Sequence, residues 1–190
     1  MKIYPFIFVF LIAAISGCTA VKDDTEANVT EVNTMQNISI SAEAFRDGDM
    51  IPAEYTCDGK DVSPVLSWSG IPQGTKSITL IMDDPDAPRG TFVHWVLYNI
   101  PAEAQKLPKA IPGKETLGDG SRHGSTDFGK GTVGYGGPCP PPGKPHRYYF
   151  RIYALDAKLD LPPGASRSEV EKAMKGHILA KGELMGKYGR

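Results

Sequence analysis

Asp84-Pro85-Asp86-Ala87-Pro88, Phe92-Val93-His94-Trp95 and His146-Arg147-Tyr148 carry the side chains of this chain best suited to chemistry. Two carboxylates two positions apart, on a segment stiffened by prolines, can hold acceptors still at the end of a strand. His94 is the third residue of the apolar stretch that follows, while His146 and Tyr148 open another, where a period of two sends both side chains to one face. Imidazoles exchange a proton near neutral pH, so such a set suits anion binding, acid–base catalysis or metal ligation. Taken singly, each residue also reads as a turn cap or an edge-strand aromatic.

These uses can be weighed. Two His and two Asp are an adequate donor set for Zn²⁺ or Fe²⁺, which keeps a metal-dependent or Asp/His hydrolase open as an alternative. The histidines lack the i, i+4 spacing of a helical metal motif, and the stiff loops around them favour an aromatic-lined anion pocket, with no metal or cofactor expected. Gly124-Ser125-Thr126-Asp127-Phe128-Gly129-Lys130-Gly131 approaches a phosphate-binding loop, but Gly131 stands where Ser or Thr would hold Mg²⁺. Asp127-Phe128-Gly129 spells the kinase metal motif by accident in a chain too short for a kinase. A calcium loop from Asp84 fails because Arg89 occupies the glycine position, and no Gly-x-Ser-x-Gly elbow exists. His123, in a Gly/Ser-rich loop, reads as solvated, and His177 as packed in the core.

The elements that must position these residues read mostly as strands. Apolar, β-branched or aromatic runs span 77–82, 91–100 and 147–155, with shorter ones at 38–41 and 65–68. The stretch 108–145 is too rich in Gly, Pro and Asp for helix. Only the tail looks helical: Ser166-Arg167-Ser168-Glu169 offers a capping box, and Val170, Ala173, Met174, His177 and Ile178 share a face. The sum is a mainly β, sandwich-like domain with a C-terminal helix. Ala87-Pro88 must reverse the chain between two strands, which predicts a cis bond before Pro88.

The N-terminus predicts where the domain works. An apolar run from Ile3 to Ile15 has the length of a signal-peptide core and ends in Ile15-Ser16-Gly17-Cys18, which resembles a bacterial lipoprotein signal. The organisation is then a signal over 1–17, the lipidated Cys18 and a flexible tether over 18–36, and one domain over 37–190. An ordinary secretory signal is the alternative; either way the domain is extracytoplasmic, and in a two-membrane cell Thr19 favours the periplasmic face of the outer membrane. A formal net charge of −1 without a basic cluster excludes nucleic acid as a partner and leaves the lipid as the membrane contact. Cys57 and Cys139 remain in an oxidising compartment, as a disulfide or as two thiols near the pocket.

Asp84-Pro85-Asp86-Ala87-Pro88, the His94-Trp95 stretch running to Asn99-Ile100-Pro101, Gly134-Tyr135-Gly136-Gly137-Pro138-Cys139-Pro140-Pro141 and His146-Arg147-Tyr148 together resemble the phosphatidylethanolamine-binding protein family, in its bacterial and archaeal Raf-kinase-inhibitor-like branch. The resemblance runs from about Phe45 through Glu183 to Tyr188. It implies a β-sandwich with a small pocket for an anion such as the phosphate of a phospholipid headgroup, built from Asp84, Asp86, His94, His146 and Tyr148. The loop from Pro138 through Pro140 to Pro142 would form its wall. It also implies binding and regulation without metal or turnover; some members inhibit kinases or serine proteases, so a protease-inhibitor or interaction module is a third reading. In the physical account of such a pocket, Asp84 and Asp86 orient the imidazoles that face the anion.

Overall fold

The computed structural model describes Met1 and residues 36–190. The expected signal segment apart from Met1, Cys18, and all of the expected tether except Gln36 lie outside the described residues.

The described strands are β1 (Gln36–Asn37), β2 (Ser39–Ala42), β3 (Leu66–Ser69), β4 (Ser77–Asp84), β5 (Phe92–Pro101), β6 (Lys106–Leu107), β7 (Arg122–His123), β8 (His146–Leu155) and β9 (Ile178–Tyr188), with helix α1 (Arg167–Met174) before the last. They form a six-stranded sheet in the order β1-β9-β8-β4-β5-β7 and a three-stranded sheet in the order β2-β3-β6. Between the sheets lies the main core, where Ile40, Leu66, Trp68 and Leu107 of the small sheet meet Ile78, Leu80, Met82, Phe150 and Ile152 of the large one. The opposite face of the large sheet buries Ile81, Val96 and Tyr98 against Val170 and Met174 of α1. With both faces covered, all eight residues of β4 are buried, the apolar Ile78, Leu80, Ile81 and Met82 among them.

Helix α1 begins as its capping box dictates: Ser166 Oγ accepts from Glu169 N at 3.3 Å, and Ser166 N donates to Glu169 Oε2 at 2.8 Å. It ends sooner than the apolar spacing implied. Gly176, at φ 85°, turns the chain, so His177 and Ile178 leave the helix face and Ile178 opens β9, an eleven-residue strand that the helical reading missed. His177 is therefore not a core residue; it is 46% exposed and pairs through Nδ1 with Asp156 at 2.7 Å. The expected cis bond is also overturned. No peptide bond among the described residues is cis, and the reversal at Ala87-Pro88 is instead a turn with proline second and glycine fourth, closed by Gly90 N donating to Ala87 O at 3.1 Å.

Two irregularities in β5 matter for the site. Met82 pairs with Trp95 and Asp83 with Val93, so His94 is an extra residue with no partner on β4. Strict alternation would place His94 with Val96 and Tyr98 under α1; the bulge turns it to the other face, beside Tyr148. A second shift leaves Asn99 at φ 58°, where its amide donates to and accepts from Leu159 at 2.9 and 2.8 Å and anchors the loop that leads to α1.

Candidate functional site

Asp84 closes β4 and is 3% exposed. Its Oδ1 accepts from Asp86 N at 2.8 Å, fixing the Asp-Pro-Asp turn, and its Oδ2 accepts from His146 Nδ1 at 2.7 Å. On the facing strand, His94 Nδ1 donates to Gly136 O at 2.8 Å, and Gly136 N returns a bond to His94 O at 3.1 Å. Carbonyl and carboxylate oxygens only accept, so in both rings the proton sits on Nδ1 and Nε2 is the nitrogen left without a partner among the described residues. Burial, the largest influence, lowers the pKa of His94, although the Gly136 carbonyl opposes it. This ring is uncharged in the unliganded site near neutral pH. Burial, the largest influence, and the neighbouring Asp84 carboxylate push Tyr148 above the ordinary tyrosine range, so its buried hydroxyl stays protonated; among the described residues no group lies in hydrogen-bonding geometry to it.

These groups line a cavity of about 290 Å³. Around them stands an aromatic and proline wall: Phe128 meets Phe92 and His94 edge-on with centroids 5.0 and 5.2 Å away, and Tyr148 meets His94 at 5.2 Å. A Cβ at Gly136 would lie 2.2 Å from the Phe128 ring, so any larger residue there would push that ring out of its place in the wall. The proline loop is tied down from behind. Cys139 is disulfide-bonded to Cys57 with Cα atoms 5.4 Å apart, Cys57 N donates to Pro138 O at 3.2 Å, Gly137 N to Asp61 Oδ1 at 2.7 Å, and Tyr135 OH to Tyr55 O at 2.6 Å.

Of the residues singled out by sequence, Asp84, His94, Pro140, His146 and Tyr148 line this cavity together, with Cys139. Pro138 does not; it is buried behind the wall and contributes its carbonyl to Cys57. Asp86 does not orient an imidazole. Its carboxylate is gripped by Arg147, through Nε at 2.8 Å and Nη2 at 2.6 Å, with the Arg147 backbone N at 3.0 Å. That grip holds its carboxyl well below the usual range, at about 2. Because the two carboxylates diverge, the metal set does not assemble: among the described residues no three His, Cys, Asp or Glu side chains gather as metal ligands. His123, expected in solvent, is fully buried, its Nδ1 donating to Lys114 O at 2.7 Å and its ring lying 6.3 Å from Trp95.

Sequence reasoning missed Arg89, Phe92 and Phe128. Phe92 was legible as the residue two before His94, on the same side of the strand; Phe128 was hidden inside the accidental kinase motif. Arg89 is exposed at the cavity's lip and has no ion-pair partner among the described residues, which makes it a standing positive charge at the opening.

A two-sheet β protein with a small His/Asp/Tyr pocket behind proline loops is the architecture of one class of ligand-binding proteins. The family model described as "Phosphatidylethanolamine-binding protein" matches residues 41–189. Relatives include a UPF0098 protein of Methanothermobacter thermautotrophicus, 50% identical over 153 residues that cover 80% of this chain and 99% of the relative. Another is the UPF0098 protein YbhB of Escherichia coli, 39% identical over 152 residues covering 76% of this chain and 95% of the relative. Among solved structures, the phosphatidylethanolamine-binding protein homologue CT736 of Chlamydia trachomatis superposes with a TM-score of 0.73 at 36% identity, covering 81% of this chain and 98% of that one. YbcL of E. coli, described as a new member of the mammalian PEBP family, gives 0.74 at 33% identity, with 81% and 99% covered. The chain belongs to the phosphatidylethanolamine-binding protein family, among its UPF0098-type members.

Proposed function

We propose that this chain is a membrane-tethered binding protein whose pocket takes a small oxyanion, the phosphate of a headgroup or of a free ester, without turning it over. The observation that carries this reading is the pinning of Nδ1 in both His94 and His146, which reserves each Nε2 for a ligand. When protonated from solvent, or offered the proton of a phosphate monoanion, these nitrogens hydrogen-bond an oxyanion, and Arg89 adds a positive charge at the opening. Tyr148 brings a further unused donor. Binding without turnover is part of this reading: among the described residues the lining holds no Ser or Thr, and its cysteine, Cys139, is spent in the disulfide. Calorimetric titration with inorganic phosphate tests the pocket; saturable binding at or below millimolar concentration supports it, and no heat at millimolar phosphate contradicts it.

The tether rests on Ile15-Ser16-Gly17-Cys18, the small residues and cysteine of a lipoprotein signal. Cys18→Ser should leave the chain without an acyl group and release it from the membrane fraction or stall its processing. Mass spectrometry of the mature N-terminus checks this, and a native chain that is soluble with an unmodified terminus would contradict it.

A further inference from the structure

Beside the anion pocket, on the other side of His146 and Pro141, lies a second and larger concavity of about 820 Å³. Its base is β8 and β9, where Arg147 pairs with Lys187 across the ladder, and its rim is the proline loop carrying Lys144. The charge balance of this groove is unequal. Among the described residues its one acid, Asp86, is consumed by Arg147 in a two-pronged ion pair, whereas Lys144 and Lys187 have no ion-pair partner there. Two uncompensated cations therefore share one concavity in a chain whose formal net charge is −1.

The groove is also held in shape. Gly143 N donates to Arg190 O at 3.0 Å, Lys187 N donates to Asp49 O at 2.8 Å, and Ile51 N donates to Lys187 O at 2.7 Å. Pro141, Pro142 and Pro145 stiffen the rim between these anchors. A single phosphate fills neither the volume nor the charge of pocket and groove together. His146 borders both spaces, so an anion bound at its ring lies at the doorway to the lysines.

Resting on the anion-pocket reading above, we infer that the ligand is doubly acidic: a phosphate ester whose second acidic group, a carboxylate or another phosphate, sits in the outer groove against Lys144 and Lys187. The inner pocket recognises the phosphate, and the groove distinguishes an ester that carries a second anion from one that ends in a hydroxyl.

The test compares 3-phosphoglycerate with glycerol 3-phosphate, a pair alike but for the carboxylate, by calorimetry at fixed low salt. Wild type should bind 3-phosphoglycerate about tenfold more tightly, and K144A with K187A should remove most of that preference while leaving glycerol 3-phosphate within about twofold. Lys106→Ala, on the small sheet, should alter neither. Equal affinity of wild type for the two probes, or an equal loss of both in the double variant, overturns the second subsite while leaving the anion pocket standing. Binding of neither probe contradicts the pocket itself, and the groove's role with it.

Discussion

Cys57→Ala combined with Cys139→Ala is expected to lower the stability of the domain by about 2–4 kcal/mol, because the disulfide closes a stretch with a sequence separation of 82 and restricts the unfolded chain accordingly. Denaturant unfolding of the oxidised protein against the double variant measures it. The effect should reach function as well, since Cys139 and Pro140 line the cavity. The wall keeps its bonds from Gly137 to Asp61 and from Tyr135 to Tyr55, so anion affinity should fall and not vanish. Unchanged unfolding midpoints would mean that the hydrogen bonds alone hold the proline loop in place.

His146→Ala should weaken phosphate binding by about tenfold or more, the loss expected for one charge-assisted hydrogen bond. It removes a ring held by Asp84 at 2.7 Å and leaves that buried carboxylate facing the anion. His94→Ala should do likewise. Asp86→Ala should cost far less, because Asp86 is turned to Arg147 and away from the cavity. The pH dependence has a definite sign. Burial depresses His94 in the free pocket, and a bound anion favours its imidazolium, so binding raises its pKa. Affinity must therefore grow as pH falls through the bound-state value and level off below the free-pocket value.

Much of this site was legible in the sequence because its residues are contiguous. The prolines around Asp84 and Asp86 marked a stiff loop, and period two put His146 and Tyr148 on one face; both are visible in short windows. Which acceptor each donor would choose was not. Arg147 is the immediate neighbour of His146, yet it captures Asp86 across sixty-one positions of sequence, an outcome that depends on where β8 lies beside the Asp-Pro-Asp turn. Nor could periodicity reveal that His94 faces the pocket: simple alternation sends it under α1, and only the pairing of β5 with β4 exposes the bulge.

The loss of β9 from the sequence reading has a different cause. Its buried positions include Gly182 and Gly186, which carry no hydrophobic signal. A Cβ at Gly182 would meet Ile38 O at 2.2 Å, and one at Gly186 would meet the Ile51 side chain at 2.5 Å, so close packing removes the residues by which a strand is recognised. With those positions silent, the remaining apolar residues near 170–178 fitted a longer helix. His123 failed similarly: a Gly/Ser-rich setting looks solvated, but β7 is the edge of the large sheet and folds its ring against Trp95.

The central claim is that pinned imidazoles hold an oxyanion, and sulfate tests it most directly, because sulfate keeps its charge across the histidine range while phosphate does not. Calorimetric titration of sulfate into wild type and His146→Ala, at about pH 5.5 and about pH 7.5, separates the protein's protonation from the ligand's. The expected result is saturable binding to wild type that is tighter at the lower pH, and weaker binding to the variant at both. Affinity that is independent of pH and unchanged in His146→Ala, or no binding at either pH, would contradict the account.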